Sequence, residues 1–161
     1  MQPDRLTFHA TQITPLLRTA QGHVEQLVLL CGGSWQERTA LLQMVAGSQG
    51  MAYTALGLPL AETLLTQPPR QRPLLAEDTV ERLAAEAAAG LALDHIEILF
   101  DPELHIDPLR LAQALSRRRT VLLSWPGAYT PPRLTYAQPD HAEYRLYQVS
   151  GLLIYTLENL T

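Results

Sequence analysis

Apolar positions in this chain fall into short runs, and the runs alternate between two spacings. Residues 4–19 carry Leu6, Ile13, Leu16 and Leu17 at loosely helical spacing, interrupted by Pro15, which predicts a short helix or two half-helices. Gly22 and His23 break that pattern, and residues 24–31 read as a strand. Its centre, Leu27-Val28-Leu29-Leu30-Cys31, is apolar throughout, as in a parallel strand covered on both faces. Two glycines follow, then a helix over about 38–45 that ends near Gly47. Residues 51–56 form a weaker second strand, and 58–65 a turn or two of helix before the proline-rich loop TQPPRQRP. Alanine and glutamate make residues 78–89 a strong helix, with Gly90 as its cap. Residues 91–96 read as a third strand. A helix over 108–118 has Asp107 placed to cap it and Pro108 at a favourable first position. Residues 120–125 form a fourth strand, stopped by Pro126-Gly127. After a loop, AYTPPR, two strand-like runs remain near 143–149 and 152–157.

Strands thus alternate with helices through most of the chain. That pattern predicts an α/β fold: one domain over residues 1–161, with a helical segment over 1–22 and an α/β core over 23–161, its sheet mainly parallel and flanked by helices.

Composition narrows this only slightly. Hydrophobic residues make up 47% and charged residues 17%, a balance that argues against a disordered chain. No apolar run reaches the roughly 20 residues of a membrane span, and the amino terminus shows no basic segment followed by a hydrophobic one. A single cysteine, Cys31, rules out an internal disulfide, so a cytoplasmic location is expected. The formal net charge of −4 leaves no global basic field to steer the protein to nucleic acid. All twelve basic residues are arginine, and Arg117-Arg118-Arg119 is the only basic run.

Candidate chemistry begins in LLCGGSWQERTALL, residues 29–42. Its spacing is that of a phosphate-binding loop, G-x-x-x-x-G-K-[ST], between a buried strand and a helix. Gly32, Gly33 and Ser34 would offer backbone N–H groups to an anion at the positive end of the helix dipole. Thr39 would offer a hydroxyl to a magnesium ion held by the phosphates. Two residues depart from the pattern. Glu37 stands where the second glycine belongs, adding bulk and a negative charge. Arg38 replaces the lysine with a planar fork that cannot sit between phosphates as a compact ammonium does. Weakened or lost hydrolysis follows from both. The same residues also describe a strand–turn–helix junction with a Gly-Gly turn and no ligand.

Downstream, Asp94 ends the third strand, where a phosphate-loop enzyme holds magnesium through water. His95 follows it, and Glu97 is a displaced candidate base. The bland alternatives are a strand-end cap for Asp94 and a solvated charge for Glu97. Ser124 on the fourth strand lies where a polar residue can sense the terminal phosphate, though buried serines at strand ends are common. Arg117 to Arg119 close the preceding helix. They suit its dipole, and equally a nucleic-acid patch or an arginine acting in trans on a neighbour's phosphate. No nucleophile–base pair and no metal-ligand spacing supports a stand-alone enzyme of another chemistry.

Taken together, LDHIEILFDPELHIDPLRLAQALSRRRTVLLSWPG (93–127) and LTYAQPDHAEYRLY (134–147) resemble the BrxF family, small P-loop-containing proteins of type III BREX phage-defence systems. The resemblance extends over about residues 24–147. Residues 94–97, Asp-His-Ile-Glu, also resemble the D-D-I-Q signature of bacterial replication initiators in the AAA+ group. The BrxF resemblance implies a P-loop NTPase core in a multi-component system that blocks phage replication and modifies host DNA. It implies ATP and Mg2+ as cofactors, with Gly32, Gly33, Arg38 and Thr39 lining the phosphates and Asp94 and Glu97 serving magnesium or water. Only about 36 residues follow the fourth strand, too few for the helical lid of AAA+ proteins. The expected function is an accessory nucleotide-binding protein. It would assemble with itself and with other BREX components, among them the large BREX ATPase, and hydrolyse ATP weakly or only with a partner. The alternative is a nucleotide-free pseudo-NTPase scaffold or DNA-binding adaptor in the same system.

Overall fold

A computed structural model describes residues 2–87 and 89–158. Five strands form one parallel sheet in the order β2-β3-β4-β1-β8: β1 (Leu27–Gly32), β2 (Ala52–Ala55), β3 (Leu91–Asp94), β4 (Val121–Ser124) and β8 (Leu153–Leu157). Helix α1 (Pro3–Gln21) precedes β1, and between the strands run α2 (Trp35–Gln49), α3 (Gly57–Leu65), α4 (Arg72–Ala85) and α5 (Pro108–Leu115). Three short strands, β5 (Ala128–Thr130), β6 (Arg133–Tyr136) and β7 (Arg145–Gln148), make a separate antiparallel sheet.

The apolar strands divide their side chains between two cores, as the period of two requires. Leu27, Leu29, Cys31, Leu93 and Leu123 face one side, under α3, α4, α5 and the small sheet. Val28, Leu30, Ala92 and Leu122 face the other, under α1 and α2. Both faces are covered, so the central strands read as continuous apolar runs instead of alternating ones. Among the described residues, no helix is long and apolar enough to cross a membrane.

Several boundaries move from those the sequence predicts. Helix α1 runs unbroken through Pro15, which lies on the exposed side, where water can serve the carbonyl that loses its partner. Ile13, Leu17 and Ala20 anchor its opposite side. Helix α2 passes Gly47 and stops at Gly50, which is left-handed at φ 67°. Helix α4 begins inside the expected proline-rich loop, because Pro73 suits a helix start and Ala76, Thr79 and Val80 bury its inner side. Strand β3 ends at Asp94 because His95 turns left-handed (φ 53°). Helix α5 ends at Leu115, leaving Arg117 to Arg119 in the turn before β4.

The expected loop after β4 is instead the β5–β6 hairpin. Trp125, fully buried, donates its indole N–H to the Thr135 carbonyl at 2.9 Å. Gly127 lies against the same carbonyl, where a Cβ would stand 1.7 Å from the oxygen. Phe100 stacks on Tyr136 at 3.8 Å and meets Trp125 edge-on, fixing the small sheet to the core. The two final strand-like runs are real strands, but they belong to different sheets.

Candidate functional site

All strands of the large sheet point the same way, so the carboxyl ends of β1, β3 and β4 share its upper edge. Strand β1 lies between β4 and β8, while the chain leaving it crosses to β2 at the far side of the sheet. Such a reversal of strand order opens the crevice in which α/β sheets bind ligands.

The junction leaving β1 is short. Gly33 and Ser34 are the only residues between the end of β1 at Gly32 and the start of α2 at Trp35. Residues 35–37, which a phosphate loop would arch around its anion, form the first turn of α2. The expected helix start near Arg38 is therefore corrected by a full turn. Ser34 is the cause: its Oγ accepts from the Glu37 N–H at 3.1 Å, and the Glu37 carboxylate accepts from the Ser34 N–H at 2.9 Å. This reciprocal capping box starts the helix early. Gly32 and Gly33 both take left-handed φ, at 79° and 61°. A Cβ on Gly32 would stand 2.7 Å from the Leu157 carbonyl, so the turn and its tight packing on β8 both require glycine.

The Glu37 carboxylate thus folds back over Gly33 and the Ser34 N–H, and Arg5 of α1 pairs with it at 3.6 Å. Arg38 lies on the second turn of α2 and is only 8% exposed. Its Nε donates to Ser124 Oγ at 3.0 Å, and its Nη1 donates to the carbonyls of Gly32 (2.9 Å) and Gly33 (3.2 Å). Among the described residues no carboxylate lies within 4.0 Å of it. The guanidinium ties the loop to β4. Beneath it, burial pushes the Cys31 thiol from 9.0 up to about 12, against the opposing charge of Arg38. Cys31 is a buried apolar side chain with no reactive thiolate.

Beside this strut lies a second cluster centred on Asp94, which is 3% exposed. Its Oδ2 accepts from the Thr39 hydroxyl at 2.6 Å and the Tyr53 hydroxyl at 2.7 Å, and its Oδ1 from the His95 backbone N–H at 2.9 Å. The His95 ring nitrogen Nε2 is 3.5 Å from Oδ2. Burial and the Asp94 carboxylate push the Tyr53 phenol well above its ordinary range. His95 holds its left-handed backbone within this cluster and meets the half-exposed ring of Trp35 edge-on at 5.7 Å. A strained non-glycine residue beside a buried carboxylate is a feature that accompanies functional sites.

The structure therefore joins Gly32, Gly33, Ser34, Arg38 and Ser124 in one hydrogen-bonded unit and Thr39 with Asp94 in another. It does not bring in Glu97, which opens a 3-10 turn after β3; burial, then the charges of Glu143 and Glu97, raise the pKa of the Tyr136 phenol. Nor does it bring in Arg117 to Arg119, which precede β4 and so lie at the opposite edge of the sheet. Tyr53, Trp35 and Arg5 were not anticipated. Tyr53 carried a usable signal, since a phenol on a covered strand needs a polar partner for its hydroxyl.

These groups do not fit a phosphate cradle. The Ser34 N–H is taken by a carboxylate, Nε and Nη1 of the guanidinium are turned onto Ser124 and two carbonyls, and the loop has closed into a turn. The Thr39–Asp94 pair alone has the chemistry of a magnesium site. Among the described residues, no three His, Cys, Asp or Glu side chains gather as metal ligands. Compared with known proteins, the chain matches no protein-family description, no curated protein and no solved structure.

Proposed function

We propose that this chain is a scaffold built on a P-loop-type α/β core, acting by assembly and without a resident nucleotide. The observation that carries this reading is the closed β1–α2 junction, in which the Glu37 carboxylate takes up the Ser34 N–H and the Arg38 guanidinium turns onto Ser124 and the carbonyls of Gly32 and Gly33. Support for P-loop ancestry comes from the parallel sheet, the glycine turn after β1, Asp94 at the end of β3 and Ser124 at the end of β4. The resemblance of residues 93–127 to BrxF makes other BREX components, including the large BREX ATPase, the partners to test, in a cytoplasmic setting.

The second reading is an accessory ATP- and magnesium-binding protein with weak or partner-dependent hydrolysis. The Thr39–Asp94 pair at 2.6 Å favours it, with Trp35 exposed beside it. One titration separates the two. With ATP and magnesium, the wild-type chain is expected to bind no better than an Arg38→Ala, Thr39→Ala double variant. Light scattering is expected to return the same mass with and without ATP. Saturable ATP binding by the wild type, lost in the double variant, would overturn the scaffold reading in favour of the second.

A further inference from the structure

At the lower edge of the parallel sheet, where its strands begin, charge is arranged quite differently. Arg117, Arg118 and Arg119 form one wall of a cleft of about 370 Å³ between the carboxyl ends of α4 and α5. Glu81, Ala85, Ala114 and Leu115 complete its lining. Arg119 donates to the Leu115 carbonyl at 3.0 Å and so closes α5. Arg117, largely exposed, pairs loosely with Glu25 at 3.6 Å. Arg118 is exposed and, among the described residues, has no carboxylate within 4.0 Å. Helices α1 and α4 each return the chain to the start of the next strand. Their last-turn arginines, Arg18 and Arg82, therefore reach this same edge, and both are exposed. Glu25, Glu81 and Glu86 share this edge with them. The lower edge thus gathers five of the twelve arginines, Arg18, Arg82 and Arg117 to Arg119, in a chain whose net charge is −4.

We propose that this lower edge binds the phosphodiester backbone of nucleic acid, without regard to base sequence. Guanidinium forks match phosphate oxygens two at a time. The cations are spread over both helical layers and the sheet edge between them, an array that a linear chain of phosphates can meet at several points. The cleft offers no aromatic ring for stacking and no side-chain amide for a base edge, so its contacts position a backbone and read nothing. That local gathering of exposed guanidinium groups suits a polyanion. The site lies apart from the β1–α2 junction, and the proposal stands whether or not that junction takes a nucleotide.

Fluorescence anisotropy with a labelled mixed-sequence duplex and a labelled homopolymeric single strand tests it, with polyglutamate as competitor. Binding is expected for both nucleic acids. For the duplex, log K should fall with log salt at about 0.9 per phosphate neutralised, and for the single strand at about 0.7. An Arg117→Gln, Arg118→Gln variant should lose about 2 from the phosphate count and weaken both ligands alike. Glu25→Gln, which frees Arg117, should tighten binding. The proposal is overturned by no measurable wild-type binding, by a salt slope unchanged in the arginine variant, by no gain in Glu25→Gln, or by polyglutamate displacing nucleic acid at equal charge concentration. That last outcome would assign the edge to an acidic protein segment.

Discussion

The two edges of the parallel sheet each carry arginine, and they use it in opposite ways. At the upper edge Arg38 is nearly sealed, with its donors directed at Ser124 and at the carbonyls of the glycine turn. At the lower edge Arg117 and Arg118 are exposed and touch little of the protein. A cation that satisfies buried acceptors is a structural member, and its removal leaves them orphaned. A cation in water contributes little to folding and is available to a partner. The contrast makes the upper edge a place of high structural cost and the lower edge a place of possible exchange.

The largest test of that contrast is Asp94→Ala, which strips the acceptor from the Thr39 and Tyr53 hydroxyls and the His95 N–H at once. A loss of about 3 kcal/mol or more in unfolding free energy is expected by urea denaturation. A loss below about 1 kcal/mol would mean that the cluster is not a structural hub. Arg38→Met keeps the bulk and abandons two carbonyls and a serine; about 2 kcal/mol is expected, and Arg38→Lys should recover only part of it. Glu37→Ala breaks the capping box and should cost about 1 kcal/mol, with helix α2 reporting the loss by faster amide exchange in its first turn.

Cys31 gives a pH test of the same edge. Its thiol is raised in the fold, so the stability it contributes is full below pH 9.0 and drains away as pH rises towards about 12. Denaturation curves taken through that range should fall more steeply for the wild type than for Cys31→Ala, by less than about 1 kcal/mol at mildly alkaline pH. The smallest effect belongs to the lower edge. Arg117→Gln with Arg118→Gln should change stability by no more than about 0.5 kcal/mol. A larger loss would erase the distinction between the two edges.

Much of the parallel core could be read from residue order. The uniform run from Leu27 to Cys31 and the shorter runs of β3 and β4 announce strands covered on both sides, since no other local pattern buries every residue. The β5–β6 hairpin was hidden, because AYTPPR reads as loop and only the pairing with Thr135 and the aromatic stack over Phe100 makes it a sheet. In the site, Thr39 and Asp94 could be matched by the spacing of strand and helix ends, and the structure brings them into contact. Glu97 could not be followed the same way. The left-handed turn at His95 sends the chain into a 3-10 turn that aims Glu97 elsewhere.

Sequence alone determined which segments are buried strands and where a glycine turn must fall. It also showed that Glu37 and Arg38 break the phosphate-loop pattern, because apolar periodicity and residue type are local properties. What those two side chains do was decided only by tertiary structure. Glu37 closes back on Ser34, and Arg38 reaches a serine 86 positions away in the chain. A buried polar group takes its role from the partners that surround it, and those partners come from strands that only the folded sheet makes neighbours.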